Sequence, residues 1–305
     1  MCFLSFHERI SSNLECRKRG VWWEEYDMMI DKVINNNIIS VIDKTGEEVL
    51  IMGRGIGFKG RPGMPVDEKK IQKIFRLESP AQTKMFQDII EDMPMEHIQV
   101  SSDIIGYAKT VIESKLNRSI YLTLTDHINF ALERFEKGMN LKNALLWEIK
   151  KFYPKEYLVG KQALVMIKEQ LQVELPEDEA GSIAMHFVNA ELNSQMNETV
   201  DITKVIQSVL DVIKYHFQIN LNESSLDYER LVTHLKFFAQ RIIIGKHLKE
   251  EDEDWKQMIF SKYAEEYECA IKVRNLIQKI YHYEVDDNEL MYLTLHIRRV
   301  TGAGE

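Results

Sequence analysis

IKEQLQVELPEDEAGSIAMHF at residues 167–187 and IQKIYHYEVDDNELMYLTLHI at 277–297 are two versions of one segment. Setting Ile167 on Ile277 brings Glu174 onto Glu284, Glu179 onto Glu289 and His186 onto His296. A second matching pair lies upstream of each: LTDHINFALERF (124–135) follows the pattern of LVTHLKFFAQRI (231–242), with His127 on His234. Apolar residues return in all four segments at three- and four-residue spacing, the period of an amphipathic helix. Self-similarity over so long an interval marks a duplicated folding unit. Two homologous all-α helical-bundle domains are therefore expected, at 84–197 and 198–305.

The N-terminal part has a different texture. Gly46, Gly53, Gly55, Gly57, Gly60 and Gly63 crowd one short region, whereas no proline follows Pro176. The runs MIDKVIN, IISVIDK, EEVLIMG and IGFK between Met28 and Lys59 are rich in β-branched residues and are punctuated by Asn35-Asn36-Asn37 and Lys44-Thr45-Gly46, which predicts four short antiparallel strands. Asp67 is placed to cap a helix carrying Ile71, Ile74 and Phe75 on one face. The Ser79-Pro80 step closes the unit, giving a domain at 28–83. The fold class is thus multidomain, a small antiparallel β domain followed by two helical bundles. So small a domain buries little of its own surface, and a homodimer is the expected remedy. Residues 1–27, ending in WWEEYDMM, fit neither unit; they are expected to be a non-native or disordered extension, with translation beginning at Met28 or Met29.

Composition narrows the function classes. With 45% hydrophobic and 29% charged residues the chain is globular, and it has no apolar run of the roughly 18 residues that suggest a membrane span. No signal peptide is evident, so a cytoplasmic protein without direct membrane insertion is expected. Cys2, Cys16 and Cys269 form no CxxC pair and no metal-finger spacing, and no metal or cofactor is expected. A net charge of -9 argues against coating nucleic acid by electrostatics alone. Residues 28–83 nevertheless carry nine Lys/Arg against seven Asp/Glu, while the rest is acidic on balance. Any RNA-binding surface belongs there.

MGRGIGF (52–58), if extended, sets Gly53, Gly55 and Gly57 on one side and Arg54, Ile56 and Phe58 on the other. The bare side permits close backbone approach; the arginine and the aromatic suit phosphate and an unpaired base. Two other readings stand beside this one. Residues 55–60 are formally GxGxxG, but Arg61-Pro62-Gly63-Met64-Pro65 follows where a dinucleotide site needs a helix. Alternatively the glycines only shape a bend and Phe58 is core.

His127, His186, His234 and His296 hold matched positions in the two copies; His7, His97, His216, His247 and His282 have no counterpart. A neutral imidazole is both a nucleophile toward a phosphoryl donor and a possible metal ligand. Asp126 adjoins His127, and Glu179 and Glu289 each precede a histidine by seven residues, two turns along one helix face. Those acids either orient an imidazole or face solvent.

KVINNN (32–37) followed by MGRGIGF, with the duplicated helical units behind them, resembles the BglG/LicT/SacY transcriptional antiterminators, in which a co-antiterminator RNA-binding domain precedes two phosphotransferase-system (PTS) regulation domains. The resemblance spans 28–305. It implies RNA contacts from Lys32, Asn37, Gly53, Arg54 and Phe58, made by a dimer on a leader-mRNA hairpin that overlaps a terminator. Loop contacts from GRPGMP (60–65) are not implied, since relatives often carry a more lysine-rich turn there. It further implies phosphorylation of His127 and His186 in the first regulation domain and of His234 and His296 in the second. The implied donors are the phosphocarrier HPr and the cognate sugar permease (enzyme II), with inhibition through the first domain and activation through the second. Arg298 and Arg299 are candidate partners for the added phosphate.

Two rivals belong to other classes. A helical metal-dependent phosphohydrolase needs an adjacent His-Asp pair, yet Asp126-His127 has the reverse order and no HExxH is present. The chain is therefore not expected to be an enzyme. A PTS-regulated DNA-binding activator would begin with a helix-turn-helix; the N-terminal unit reads as β, and no DNA partner is expected.

Overall fold

In a computed structural model the described residues are 28–43, 45–246 and 253–302. The expected extension at 1–27, and with it His7, Cys2 and Cys16, lies outside them, as does His247. The chain divides between Thr83 and Lys84 into two compact units.

The first unit is an antiparallel meander of β1 (Ile30–Asn35), β2 (Ile38–Ile42), β3 (Glu48–Met52) and β4 (Lys73–Phe75), ordered β1-β2-β3-β4. The two-residue turn Asn36-Asn37 joins the first two strands. Ile39 faces Ile51 and Val41 faces Val49 across β2 and β3, and because side chains alternate along a strand all four fall on one face. Ile30 from β1 and Ile56 and Val66 from the long β3–β4 connection complete that core.

The fourth strand is not where its sequence pointed. IGFK (56–59) lies in turns, and KIF (73–75) pairs instead, Leu50 opposite Phe75 and Ile51 opposite Ile74. The helix expected after Asp67 is only a 3-10 turn, Glu68–Lys70: the Asp67 side chain accepts from the Lys69 N–H as a cap should, but Ile71 is already extended. Sheet pairing draws Ile74 and Phe75 away from the helix that their spacing suggested. No helix-turn-helix forms at 30–75, which removes the DNA-binding alternative's premise.

Eleven α-helices follow among the described residues, the first beginning just before the boundary: α1 (Pro80–Ile90), α2 (Met95–Val111), α3 (Ile120–Glu136), α4 (Leu146–Phe152), α5 (Pro154–Leu171), α6 (Glu177–Leu192), α7 (Met196–Phe217), α8 (Leu226–Ile244), α9 (Glu253–Lys262), α10 (Ala264–Tyr281) and α11 (Asp287–Thr301). The repeat is visible element by element. α3 corresponds to α8, α5 to α10 and α6 to α11. Even the helix ends agree: Gln172 after α5 and His282 after α10, equivalent in the repeat, both terminate their helix in the left-handed conformation.

The two copies share apolar packing. Ile183, Phe187 and Ala190 of α6 belong to the first copy's core, whereas Ala184, Met185 and Val188 join Ile149 and Phe152 of α4 in the core of the second. Burial on two sides explains why GSIAMHFVNA is apolar almost all round. Polar atoms also cross between the copies. Tyr153 Oη lies 3.2 Å from Thr203 Oγ1, and Gln240 Nε2 donates to the Leu192 carbonyl at 2.8 Å.

Glu191, at the end of α6, is pushed up to about 7 by burial and by the Glu156 carboxylate beside it. Such a carboxyl keeps its proton in the folded state while the unfolded chain, ionising near 4.5, has lost it. Its contribution is therefore intact at low pH and is lost as pH rises from about 4.5 to about 7. Glu191→Gln, which cannot ionise, should gain about 1–2 kcal/mol on the parent between those limits once solvent screening of this half-buried group is allowed for. Denaturant unfolding at acidic and neutral pH measures the difference; a pH-independent gap contradicts this account of Glu191.

Candidate functional site

The loop after β3 is locked by the Asn35–Asn37 turn. Gly53 N–H donates to the Asn37 carbonyl at 2.9 Å, Gly57 N–H to the Asn36 carbonyl at 3.0 Å, and Gly55 N–H to Asn37 Oδ1 at 2.9 Å. A Cβ at Gly53 would stand 1.8 Å from the Lys70 carbonyl oxygen, and one at Gly57 would stand 2.2 Å from that of Asn35. Only glycine fits either position. The segment is consequently a chain of turns, and the alternation expected of an extended MGRGIGF does not hold: Ile56 is buried in the sheet core, while Arg54 and Phe58 point outward.

Phe58 is 60% exposed, and Lys59 Nζ lies 5.4 Å from the centroid of its ring. A cation and an aromatic face held together on a rigid loop suit a stacked base and its phosphate. Lys32 on β1 is exposed as well. Of the five residues expected to meet RNA, Lys32, Arg54 and Phe58 offer side chains to solvent, whereas Asn37 and Gly53 hold the loop in shape. Lys59 was missed in the sequence reading; its signal was its place next to the aromatic.

The four matched histidines come together in two pairs. His127 on α3 meets His186 on α6 with ring centroids 4.7 Å apart, and His234 on α8 meets His296 on α11 at 4.6 Å. The helix pairs that carry them pack directly, α3 on α6 and α8 on α11. Each pair has a buried acid and arginine behind it. Glu179 Oε1 accepts from Arg134 at 2.5 Å, and its other oxygen lies 3.2 Å from His127 Nε2, close but without the alignment of a hydrogen bond. Glu289 is gripped by both Nε and a terminal nitrogen of Arg241, the latter at 2.8 Å. Glu179 and Glu289 are 4% and 1% exposed, so they are not solvent-facing charges. Asp126 is exposed.

Arg134 and Arg241 were overlooked, although each follows its histidine by seven residues in the aligned segments. Of the two arginines weighed instead, only Arg299 lines a histidine cleft. Arg298 pairs with Glu266 at 3.3 Å, while Arg299 lines the cleft of the second histidine pair together with Arg230. In the first copy the cleft at His127 is lined by Arg134, Lys142 and Lys204, the last contributed by α7 of the second copy.

Burial keeps three of the four imidazoles, those of His186, His234 and His296, neutral. His186 is held well below its usual value, chiefly by desolvation and then by His127. His234 falls to about 3 from burial, then His296 and Arg241. Burial followed by Arg299 and Arg230 lowers His296. A neutral ring carries the lone pair that attacks phosphorus, and the cations lining each cleft suit an anionic group. Among the described residues no cluster of three or more His, Cys, Asp or Glu is arranged to hold a metal.

Residues 28–84 match the CAT RNA binding domain, and 102–190 and 207–300 each match the PRD domain. The chain is 50% identical over 273 residues to the transcription antiterminator LicT of Bacillus subtilis (strain 168), covering 90% of this chain and 99% of that one. The chain belongs to the BglG/LicT family of transcriptional antiterminators. It is also 44% identical to a Beta-glucoside operon antiterminator of Dickeya chrysanthemi, over 90% of this chain and 96% of the relative. Among solved structures, LicT in complex with its RNA target is 48% identical, covering 18% of this chain and 98% of that chain, with a TM-score of 0.17. Membership agrees with the four-stranded sheet followed by helices. No helix among the described residues is long and apolar enough to cross a membrane.

Removing one member of a buried ion pair strands the other. Arg241→Ala should cost about 3 kcal/mol or more, because Glu289 is left without its cation. Replacing both by apolar residues of similar volume should recover most of that loss. Equilibrium unfolding of the single and double variants checks this, and a double variant no more stable than the single one contradicts it.

Proposed function

We propose that the protein is a sugar-responsive antiterminator that binds a leader-mRNA hairpin as a homodimer and so prevents a terminator from forming. PTS-regulated RNA antitermination is the function of its family. The observation that carries the finer reading is the twice-repeated pair of adjoining, partly accessible histidines, joined in one chain to a loop that exposes Arg54, Phe58 and Lys59. The RNA-binding domain is taken as 28–83 and the regulation domains as 84–197 and 198–305, in a cytoplasmic protein that is a regulator and performs no catalysis of its own.

On this reading Lys32, Arg54 and Phe58 meet RNA directly, with Lys59 beside them, and Asn37 and Gly53 act by shaping the loop. His127, His186, His234 and His296 accept phosphate from HPr and from the cognate permease. Each phosphoryl group brings about -1.5 to -2 charges. In the first cleft that charge competes with Glu179 for Arg134 and attracts Lys142 and Lys204; in the second it finds Arg230 and Arg299. New ion pairs at these places redistribute the arrangements of the dimer.

Arg54→Ala and Phe58→Ala should each weaken binding of the leader hairpin by about 1–3 kcal/mol, with the fold unchanged. Lys59→Ala should lower the slope of log affinity against log salt by about 0.7–0.9, the loss of one phosphate contact. Titration of the full chain with labelled RNA at several salt concentrations measures both, and full affinity in the Arg54 and Phe58 variants refutes the assigned surface.

Incubation with phosphoenolpyruvate, the general phosphotransferase enzyme and HPr should place acid-labile phosphate on the chain, chiefly at His234 and His296. Peptide mapping at alkaline pH locates it. Undiminished label after both are replaced by alanine contradicts the assignment.

A further inference from the structure

The inward face of each histidine pair is polar and unsatisfied in a repeated way. Nε2 of His127 and Nε2 of His234 are buried without a hydrogen-bond partner, and so are Nδ1 of His186 and Nδ1 of His296. Each of the four residues is nevertheless only partly buried as a whole. One nitrogen of each imidazole is thus turned into the helix–helix contact, and its identity alternates between the two members of a pair. The alternation recurs at matched positions in both copies.

We infer that the two histidines of a pair take phosphate on different ring nitrogens: Nδ1 of His127 and His234, Nε2 of His186 and His296. This rests on the phosphohistidine reading above and adds its regiochemistry. In-line attack needs a lone pair on an atom that the donor's phosphorus can reach, and a nitrogen buried against the neighbouring helix offers no such path. In the first copy a charge argument agrees. Glu179 Oε2, 3.2 Å from His127 Nε2, favours the tautomer with its proton on that nitrogen, which leaves the lone pair on Nδ1.

The transfer balances without any further reactant. The Nδ1 lone pair of His127 forms the new N–P bond as the donor phosphohistidine's N–P bond breaks, and that bond's electron pair stays with the donor ring. The proton on His127 Nε2 stays where it is, now on a ring of imidazolium character beside the Glu179 carboxylate. For His186 the same step runs through Nε2, with the proton kept on Nδ1.

The two isomers are distinguishable by bonding alone. Phosphorus on Nε2 is bonded next to both ring C–H carbons and couples to both protons, whereas phosphorus on Nδ1 neighbours only the Cε1–H. The unsubstituted full chain is phosphorylated with HPr or with the permease, digested at alkaline pH, and each labelled histidine peptide is read by proton–phosphorus correlation. Peptides bearing His127 or His234 should show the single coupling, and those bearing His186 or His296 the double one. The opposite pattern at any labelled histidine, or one isomer throughout, overturns the inference while leaving phosphorylation itself intact. Absence of phosphate from all four peptides overturns the phosphohistidine reading and the inference with it.

Discussion

A carboxylate shut away from water must have a cation, and in this protein that requirement sets the register of the helices that carry the paired histidines. Glu179 and Glu289 are almost wholly buried. Each is joined to an arginine on the facing helix, Arg134 on α3 and Arg241 on α8. Because arginine and histidine are seven residues apart, close to two turns, they lie on one face of that helix. The same spacing separates glutamate and histidine on α6 and α11. Satisfying the ion pair therefore brings the two histidines together. Such a pair is a weak source of net stability but a strong specifier of geometry, since any other register strands a charge.

The two copies use this frame differently. The second pair's cleft is lined by α8 and α11 alone, with Arg230 and Arg299 at its edge. The cleft at His127 includes Val200 and Lys204 of α7, and α6 is buried in the cores of both copies. A charge added at the first pair consequently acts across the junction between copies. A charge added at the second acts within one.

Much of this was legible in the sequence because a duplication doubles every signal. Two matched histidines per copy stood out, and the helices followed from apolar spacing. The arginines were equally legible, identical at the seventh position after His127 and His234, yet nothing in one segment says which charge is buried. The glutamates were ambiguous for the same reason. In the N-terminal unit β-branched content misled at IGFK, where glycines are needed for close backbone approach, and it under-read KIF, a three-residue edge strand whose pairing is fixed by β3 rather than by its own pattern. Arg54 and Phe58 were seen as an outward face through an alternation that does not exist. They are exposed because turns, not pleating, aim them.

The central claim is that phosphate at the paired histidines controls how well the chain reads through a leader terminator, with opposite sign in the two copies. The most direct measurement is a leader-reporter assay in cells, comparing variants that lack each pair. His127 and His186 replaced together by alanine should give readthrough without inducer, since the inhibitory phosphate has no acceptor. His234 and His296 replaced together should leave readthrough low even with inducer, since a neutral side chain cannot supply the activating charge. Parent-like induction in both variants, or the reverse assignment, contradicts the account.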